Sequence, residues 1–323
     1  MKRRILLGGL AAATLPAPAI GQARYPDRNI RLVIPFPPGG PTDIIGRMTA
    51  ERLTSVLGQT VVVDNKAGAA GSIGANDVKA ARPDGYTFLF ATSSTHAINP
   101  TAFTKPPYDP VKDFTPISSI CINPLVLVAS MAMPDTLKGL VELMLKEPNK
   151  YSYGSSGTGG ITHLAGEYLK ATVGGMNVEH VPYRGSNPAL QDLMGGSIAW
   201  MFETMSTSLQ LHRTGKARIL GFAHANRTPA ALDIPTMIEA GAPGYEAYTF
   251  NLVLGPAGTP APIVDTIHRA TRTIMGDKSF IEGLEKIAAV PIVDTSPAGT
   301  AKFIADELAK WGPVIRASGV KIE

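Results

Sequence analysis

The sequence predicts an α/β protein of two lobes joined by two crossing strands, and three observations predict it. From residue 30 onward apolar runs alternate with helical patterns, giving strand, helix, strand, helix, strand over Ile30–Ala91. After the continuous apolar run Pro124–Ser130 the same alternation starts afresh. A second long apolar run, Tyr248–Leu254, precedes a last helical stretch that most simply rejoins the first lobe. Two crossings between α/β lobes describe a hinged clamp, with 24–124 plus 250–323 as lobe 1 and 125–249 as lobe 2.

Each element has its own signal. Ile30–Phe36 is a β-rich run, followed by a Pro/Gly loop and a helical pattern over Thr42–Leu57. Val61–Val63 reads as the second strand, and the glycine-rich loop Gly68–Gly74 leads into a helix through Ala80. The turn Pro83-Asp84-Gly85 then introduces the strand Tyr86–Ala91. In lobe 2 the pattern gives helix Leu137–Lys146, strand Tyr151–Tyr153, helix Ile161–Thr172, strand Val178–Val181, helix Asn187–Met194, and strands Ile198–Phe202 and Arg218–Ala223. Pro256–Pro262 introduces two helices flanking a strand at Pro291–Val293. Strands separated by helices of this length build parallel sheets, which gather the strand-to-helix loops at one edge, where ligands collect.

Composition narrows the function. At 323 residues, with 44% hydrophobic and 17% charged residues, the chain has apolar material for two cores and no charge excess of the disordered kind. The formal charge of +4 falls to +1 without Lys2, Arg3 and Arg4, and the remaining cations are dispersed among acids, so no nucleic-acid footprint is present. Those three residues open a targeting signal. The apolar stretch Ile5–Ile20, broken by Pro16 and Pro18, is followed by Gly21, Gln22 and Ala23, which fits cleavage after Ala23 and export through either the general or the twin-arginine route. The single cysteine, Cys121, fits neither an internal disulfide nor a metal pattern, and no cysteine near Ala23 offers a lipid attachment point.

Two loops carry chemistry. Pro35-Phe36-Pro37-Pro38-Gly39-Gly40-Pro41-Thr42-Asp43 joins a strand to a helix, and its prolines concentrate the free amides at Gly39, Gly40, Thr42 and Asp43. Such a loop at a helix N-terminus suits an anion, although a tight turn capped by Thr42 or Asp43 reads equally well from the loop alone. Gly154-Ser155-Ser156-Gly157-Thr158-Gly159-Gly160 repeats the device in lobe 2 and adds hydroxyls. Neither spacing is that of a nucleotide P-loop or of a nucleophile elbow. Gly68-Ala69-Ala70-Gly71-Ser72-Ile73-Gly74 lacks the dinucleotide spacing and reads as a structural turn. The histidines at 96, 163, 180, 212, 224 and 268 show no metal pattern, and His163 is noted for its place beside the second loop. No metal and no cofactor is expected.

Taken together, Pro35–Gly40 with Asp43, Pro83-Asp84-Gly85-Tyr86, Ala97-Ile98-Asn99-Pro100, Pro107-Tyr108-Asp109-Pro110, Ser155-Ser156-Gly157, His163–Glu167, His180-Val181-Pro182-Tyr183-Arg184-Gly185 and Gly255–Pro260 make the chain resemble the Bug family, related to the TctC receptors, over residues 25–323. The resemblance implies the type II periplasmic binding protein fold and a periplasmic, non-enzymatic solute receptor. Such a receptor captures a small organic acid for ion-coupled uptake with large and small membrane subunits. It implies ligand contacts from Phe36, Pro38, Gly39, Gly40 and Asp43 in one lobe, and from Ser155, Gly157, Thr158, Tyr183 and Glu203 in the other. Two departures touch the ligand: Phe250-Asn251-Leu252 stands where the family usually has Trp-Phe-Gly, and Glu203 where it usually has Asp. Both are expected to reshape the pocket. A monomer is expected; a receptor feeding a signalling system, or a serine hydrolase built on the loop serines and His163, are the alternatives.

Overall fold

Strand β1 (Ile30–Ile34) holds Leu32, Val33 and Ile34 almost fully buried, as a strand covered on both faces must be. The computed structural model describes residues 25–323, so the targeting segment read at 1–23 lies outside them. Helix α1 (Pro41–Leu57) begins with proline at its first turn and ends on Gly58 in the left-handed conformation. It leads to β2 (Val61–Asn65), α2 (Ser72–Lys79), β3 (Thr87–Ala91) and the short α3 (Asn99–Ala102). β2 and β3 flank β1 in parallel register, as right-handed crossovers dictate.

The next strand departs from expectation. β4 runs from Phe114 to Ala129, so Pro124–Ser130 is only its second half. Thr115, Pro116, Ser118 and Ser119 look like turn residues, but irregularities in the pairing at 116–118 and 119–121 accommodate them. The first half, through Pro124, pairs antiparallel with β9 (Tyr248–Pro256), and β9 pairs antiparallel with β3. The second half, from Leu125, pairs with strands of the other lobe.

That lobe contains α4 (Leu137–Lys146), β5 (Ser152–Ser155), α5 (Ile161–Thr172), β6 (Glu179–Pro182), α6 (Ser186–Gly195), β7 (Trp200–Thr204), α7 (Met205–Arg213) and β8 (Arg218–Phe222). Its strand order, β6-β5-β7-β4-β8, repeats the order β2-β1-β3-β9-β4 of the first lobe. In both, three parallel strands are followed by an antiparallel strand from a crossing segment. Helix α7 is absent from the sequence reading, because Met205–Arg213 is largely polar and carries no strong apolar stripe. After β9 come α8 (Ala261–Met275), α9 (Lys278–Lys286), β10 (Val290–Pro291) and α10 (Pro297–Ser318), three helices where the sequence reading has two. β10 pairs with β4 at Cys121 and Ile122, which returns this segment to the first lobe.

Three backbone segments lock at the crossing. Leu125 N donates to Ala247 O (2.9 Å), Ala247 N to Ala223 O (3.0 Å), and Ala223 N to Leu125 O (2.8 Å). In the second lobe a column of rings supports β5: Trp200 stacks on Tyr153 at 4.5 Å, Tyr153 packs on His180 at 5.0 Å, and His180 stacks on His163 at 3.6 Å. Gly166 of α5 lies directly over the Tyr153 ring, where an added Cβ would come within 2.3 Å of Cε2.

Gly166→Ala is therefore expected to destabilise the protein. Overpacking costs about 1–3 kcal/mol against a gain of about 1 kcal/mol in helix propensity, for a net loss of up to about 2 kcal/mol. Gly195→Ala, at the end of α6 with open space around it, should be neutral or slightly stabilising. Denaturant midpoints at constant slope measure both.

Candidate functional site

The loops leaving the C-terminal ends of β1, β3, β5, β6 and β7 converge on an open cavity between the lobes. It is lined from the first lobe by Phe36–Pro38, Gly40–Thr42, Thr92, Ser94 and Thr249, and at the crossing by Leu125. The second lobe contributes Ser156, Ile161, Thr162, Arg184–Pro188, Glu203 and Thr204. Four helices, α1, α5, α6 and α7, begin at this wall, none capped by the side chain of its own N-cap residue. First-turn amides have no partner within a helix, so these termini direct donors and positive dipole ends toward the cavity. Among the described residues lining it, the ionisable ones are Arg184 and Glu203. The chemistry is that of a neutral, donor-rich anion site.

Asp43 organises the first loop from behind. Its Oδ2 accepts from Gly39 N (2.9 Å) and Arg47 Nε (2.9 Å), and its Oδ1 from Asn65 Nδ2 (2.9 Å), which also donates to Phe36 O (3.0 Å). Burial raises the Asp43 pKa, but these donors outweigh it and hold the carboxyl below the usual range. The Gly39 amide is thus committed to Asp43, and Gly39 adopts φ +78° to reach it. Gly40 differs: it is extended at φ −81°, ψ 170°, and an added Cβ would meet only Pro37 O, at 3.5 Å. Its value lies in leaving the cavity wall open.

The serine loop is likewise tied internally. Ser155 is buried, with Oγ 2.7 Å from His180 Nε2, 3.1 Å from Gly157 O and accepting from Gly157 N at 3.2 Å. Burial, with His163 and Lys170 nearby, pushes the His180 pKa down to about 3, and burial takes His163 to about 4, so both rings are neutral. Ser156 N donates to Thr162 Oγ1 (2.9 Å), Gly159 N to His163 Nδ1 (3.0 Å), and Gly160 N to Gly157 O (3.2 Å). Across the cavity, Ile161 N donates to Ser94 Oγ of the first lobe (3.2 Å).

A third loop, Arg184-Gly185-Ser186-Asn187-Pro188, closes the wall ahead of α6, with Gly185 at φ +115° against Pro37 of the facing lobe. Glu203, 1% exposed at the end of β7, accepts from Thr204 N (2.8 Å) and Thr204 Oγ1 (3.3 Å) through Oε1. Its Oε2 is buried with no hydrogen-bond partner. Burial raises the Glu203 pKa.

Of the residues singled out in the sequence, Phe36, Pro38, Gly40 and Glu203 line this cavity. Gly157, Thr158 and Tyr183 line an adjoining cavity of about 620 Å³, where the Tyr183 hydroxyl donates to Asp192 Oδ2 (2.7 Å). Gly39, Asp43 and Ser155 stand behind the walls and hold them. The expectation that Asn251 reshapes the pocket is corrected: it is buried and accepts from Asn123 Nδ2 (2.8 Å), while Phe250 packs edge-on against Phe303. Sequence reading passed over Ser94, Ser186 and Asn187. The strand–Gly–helix pattern that marked the first two loops also marks the third, and was the available signal.

The family profile described as tripartite tricarboxylate transporter family receptor matches residues 45–320. Protein BugT of Bordetella pertussis is 34% identical over 97% of this chain and 96% of its own length. Among solved structures, an R. palustris protein solved with adipate superposes with a TM-score of 0.88 at 34% identity, covering 92% of this chain and 99% of its own. MatC from Rhodopseudomonas palustris with bound malate gives a TM-score of 0.85 at 28% identity, covering 90% and 100%. The repeated strand order, the cavity between the lobes and these matches together establish that the chain belongs to the TctC/Bug family of substrate-binding receptors.

Proposed function

We propose that the protein is the extracytoplasmic receptor of a tripartite tricarboxylate transporter, which captures a small organic acid in the interlobe cavity and delivers it to two membrane subunits for ion-coupled uptake. The observation that carries the reading is the convergence of four helix N-termini, none capped by its own N-cap side chain, on one cavity shared by both lobes. A carboxylate accepts several hydrogen bonds, and charge-assisted ones contribute about 1.5–3 kcal/mol each, so neutral amides and hydroxyls suffice without a salt bridge. The relatives solved with adipate and malate support the ligand class. We place the lobe boundaries near 124/125 and 247–250, where β4 changes partners and the three crossing segments bond. We further propose periplasmic residence after cleavage at Ala23. In the structure no helix among the described residues is long and apolar enough to cross a membrane. Binding without chemistry is favoured over hydrolysis because Ser155 is fully buried behind the cavity wall and does not line it.

A thermal-shift screen against organic acids tests the reading directly. An acid at about a hundredfold excess over its Kd should raise stability by about 2.7 kcal/mol, and its methyl ester or amide should not. Equal effects of acid and ester would overturn the anion site. Gly40→Val should leave the melting temperature within a few degrees, because valine before proline adopts the extended backbone found there. It should nonetheless weaken the same acid at least about tenfold in calorimetry, since its side chain would enter the cavity. Asp43→Ala should weaken binding and lower stability together, releasing the loop and stranding the Gly39 amide. Small-angle scattering with and without the saturating acid should register closure of the lobes.

A further inference from the structure

The cavity is built for an anion, yet it contains one acid at its wall. Glu203 is 1% exposed, Oε1 is held by the amide and hydroxyl of Thr204, and Oε2 is buried without a partner. Around it the facing groups are hydroxyls: Ser186 of α6, and Thr204 with Thr207 at the start of α7. From β4 its register partner is Val126. The ionisable side chain that shares the wall is Arg184, exposed on the loop before α6 and in no ion pair with Glu203. An ionised carboxylate here would keep one oxygen unsolvated and would repel the acid that the helix termini attract. The helix starts beside Glu203 and the hydroxyls of Ser186, Thr204 and Thr207 favour the ionised form, and burial outweighs them.

Resting on the carboxylate-receptor reading above, we propose that Glu203 serves as a neutral carboxylic acid that donates a hydrogen bond from Oε2 to an oxygen of the bound acid. It thereby selects an anion whose facing group is an acceptor, a carboxylate or a carbonyl, over a zwitterion that would present an ammonium there. Thr204 fixes the orientation, because its two donors assign Oε1 as acceptor and leave the proton to Oε2. Burial raises the Glu203 pKa, which agrees with the neutral form. The sign of the pH dependence follows: the binding form is protonated, so affinity falls as pH rises through the Glu203 pKa and the proton is lost to solvent.

The test compares the parent with Glu203→Gln, which keeps a donor and an acceptor on the same frame, and Glu203→Met, which removes both at similar volume. Malate and adipate are the acceptor probes, and aspartate replaces the malate hydroxyl by an ammonium. Calorimetry should show Gln within about threefold of the parent and insensitive to pH, and Met weaker by about ten- to a hundredfold. Parent affinity for malate should fall as pH rises through a Glu203 pKa above the usual carboxylate range, and aspartate should bind more weakly than malate while Glu203 is protonated. A Gln variant as weak as Met, or aspartate preferred over malate with affinity rising with pH, would overturn the proposal. Infrared difference spectra of parent against Glu203→Gln give a readout without ligand: a protonated-carboxyl stretch at neutral pH is expected, and its absence overturns the proposal whatever binds. If instead the stretch is present but no acid shifts the melting temperature of either protein, the receptor reading is the one that fails.

Discussion

Unpaired amides at the first turns of helices are the constraint on which the rest of this structure depends. A helix starting at the cavity leaves its first donors without partners inside the helix, and in α1, α5, α6 and α7 no N-cap side chain fills that role, Ser94 Oγ of the facing lobe taking only the first amide of α5. Parallel strands bring these starts to one edge of each sheet, and the repeated strand order makes the two edges face one another. Anion affinity is thus a property of the fold's backbone. The side chains are left to decide which anion is held, by shape and by the few polar atoms that remain free, such as Thr92 Oγ1 and Glu203 Oε2.

An amide can direct itself at a ligand only if its loop does not collapse onto its own donors. Both principal loops are held open from outside the cavity. In the first lobe Asp43, Arg47 and Asn65 fix the proline-glycine turn; in the second, His180, Thr162 and His163 hold the serine loop over a column of stacked rings. Buried networks of this kind specify a geometry when every member is satisfied. Asp43 is nearly so, bonded through both oxygens. An acid lying behind an anion site is accounted for in the same way: its charge is consumed by its own donors before the ligand's charge is felt.

Much of this was legible in the sequence, and what was not has physical causes. Lobes, crossings and the two glycine loops follow from apolar runs and from the punctuation of Gly and Pro, which act locally. The first half of β4 was hidden because its Pro116, Ser118 and Ser119 are tolerated only through the pairing with β9, a contact across some 130 residues of chain. Helix α7 was hidden because a largely polar segment gains its helicity from packing on β4 and β8, not from an apolar stripe. At the site, residue types near the cavity could be named, but whether a given glycine or serine faces the ligand or supports the loop behind it is set by tertiary hydrogen bonds. Gly39 and Gly40, adjacent and alike in sequence, fall on opposite sides of that line.

The same geometry bears on how the clamp closes. Across the cavity the lobes meet through slender contacts: Ile161 N on Ser94 Oγ, Gly185 against Pro37, and Gly39 near Asn187. On the distal side Ile322, held to Ala102 by backbone bonding, abuts Gly159 of the serine loop. Contacts of this size cannot by themselves hold a closed form strongly, since a single hydrogen bond contributes only about 1 kcal/mol net. A bound carboxylate that accepts donors from both lobes adds several charge-assisted bonds that exist only when the lobes are together. A ligand moves a two-state equilibrium by its differential affinity and by nothing else, and donors divided between two lobes place nearly all of that difference in the closed form. On the proposed reading, dividing the site between lobes makes recognition and closure one event, and an acid too short to reach both walls would bind weakly without closing the cleft.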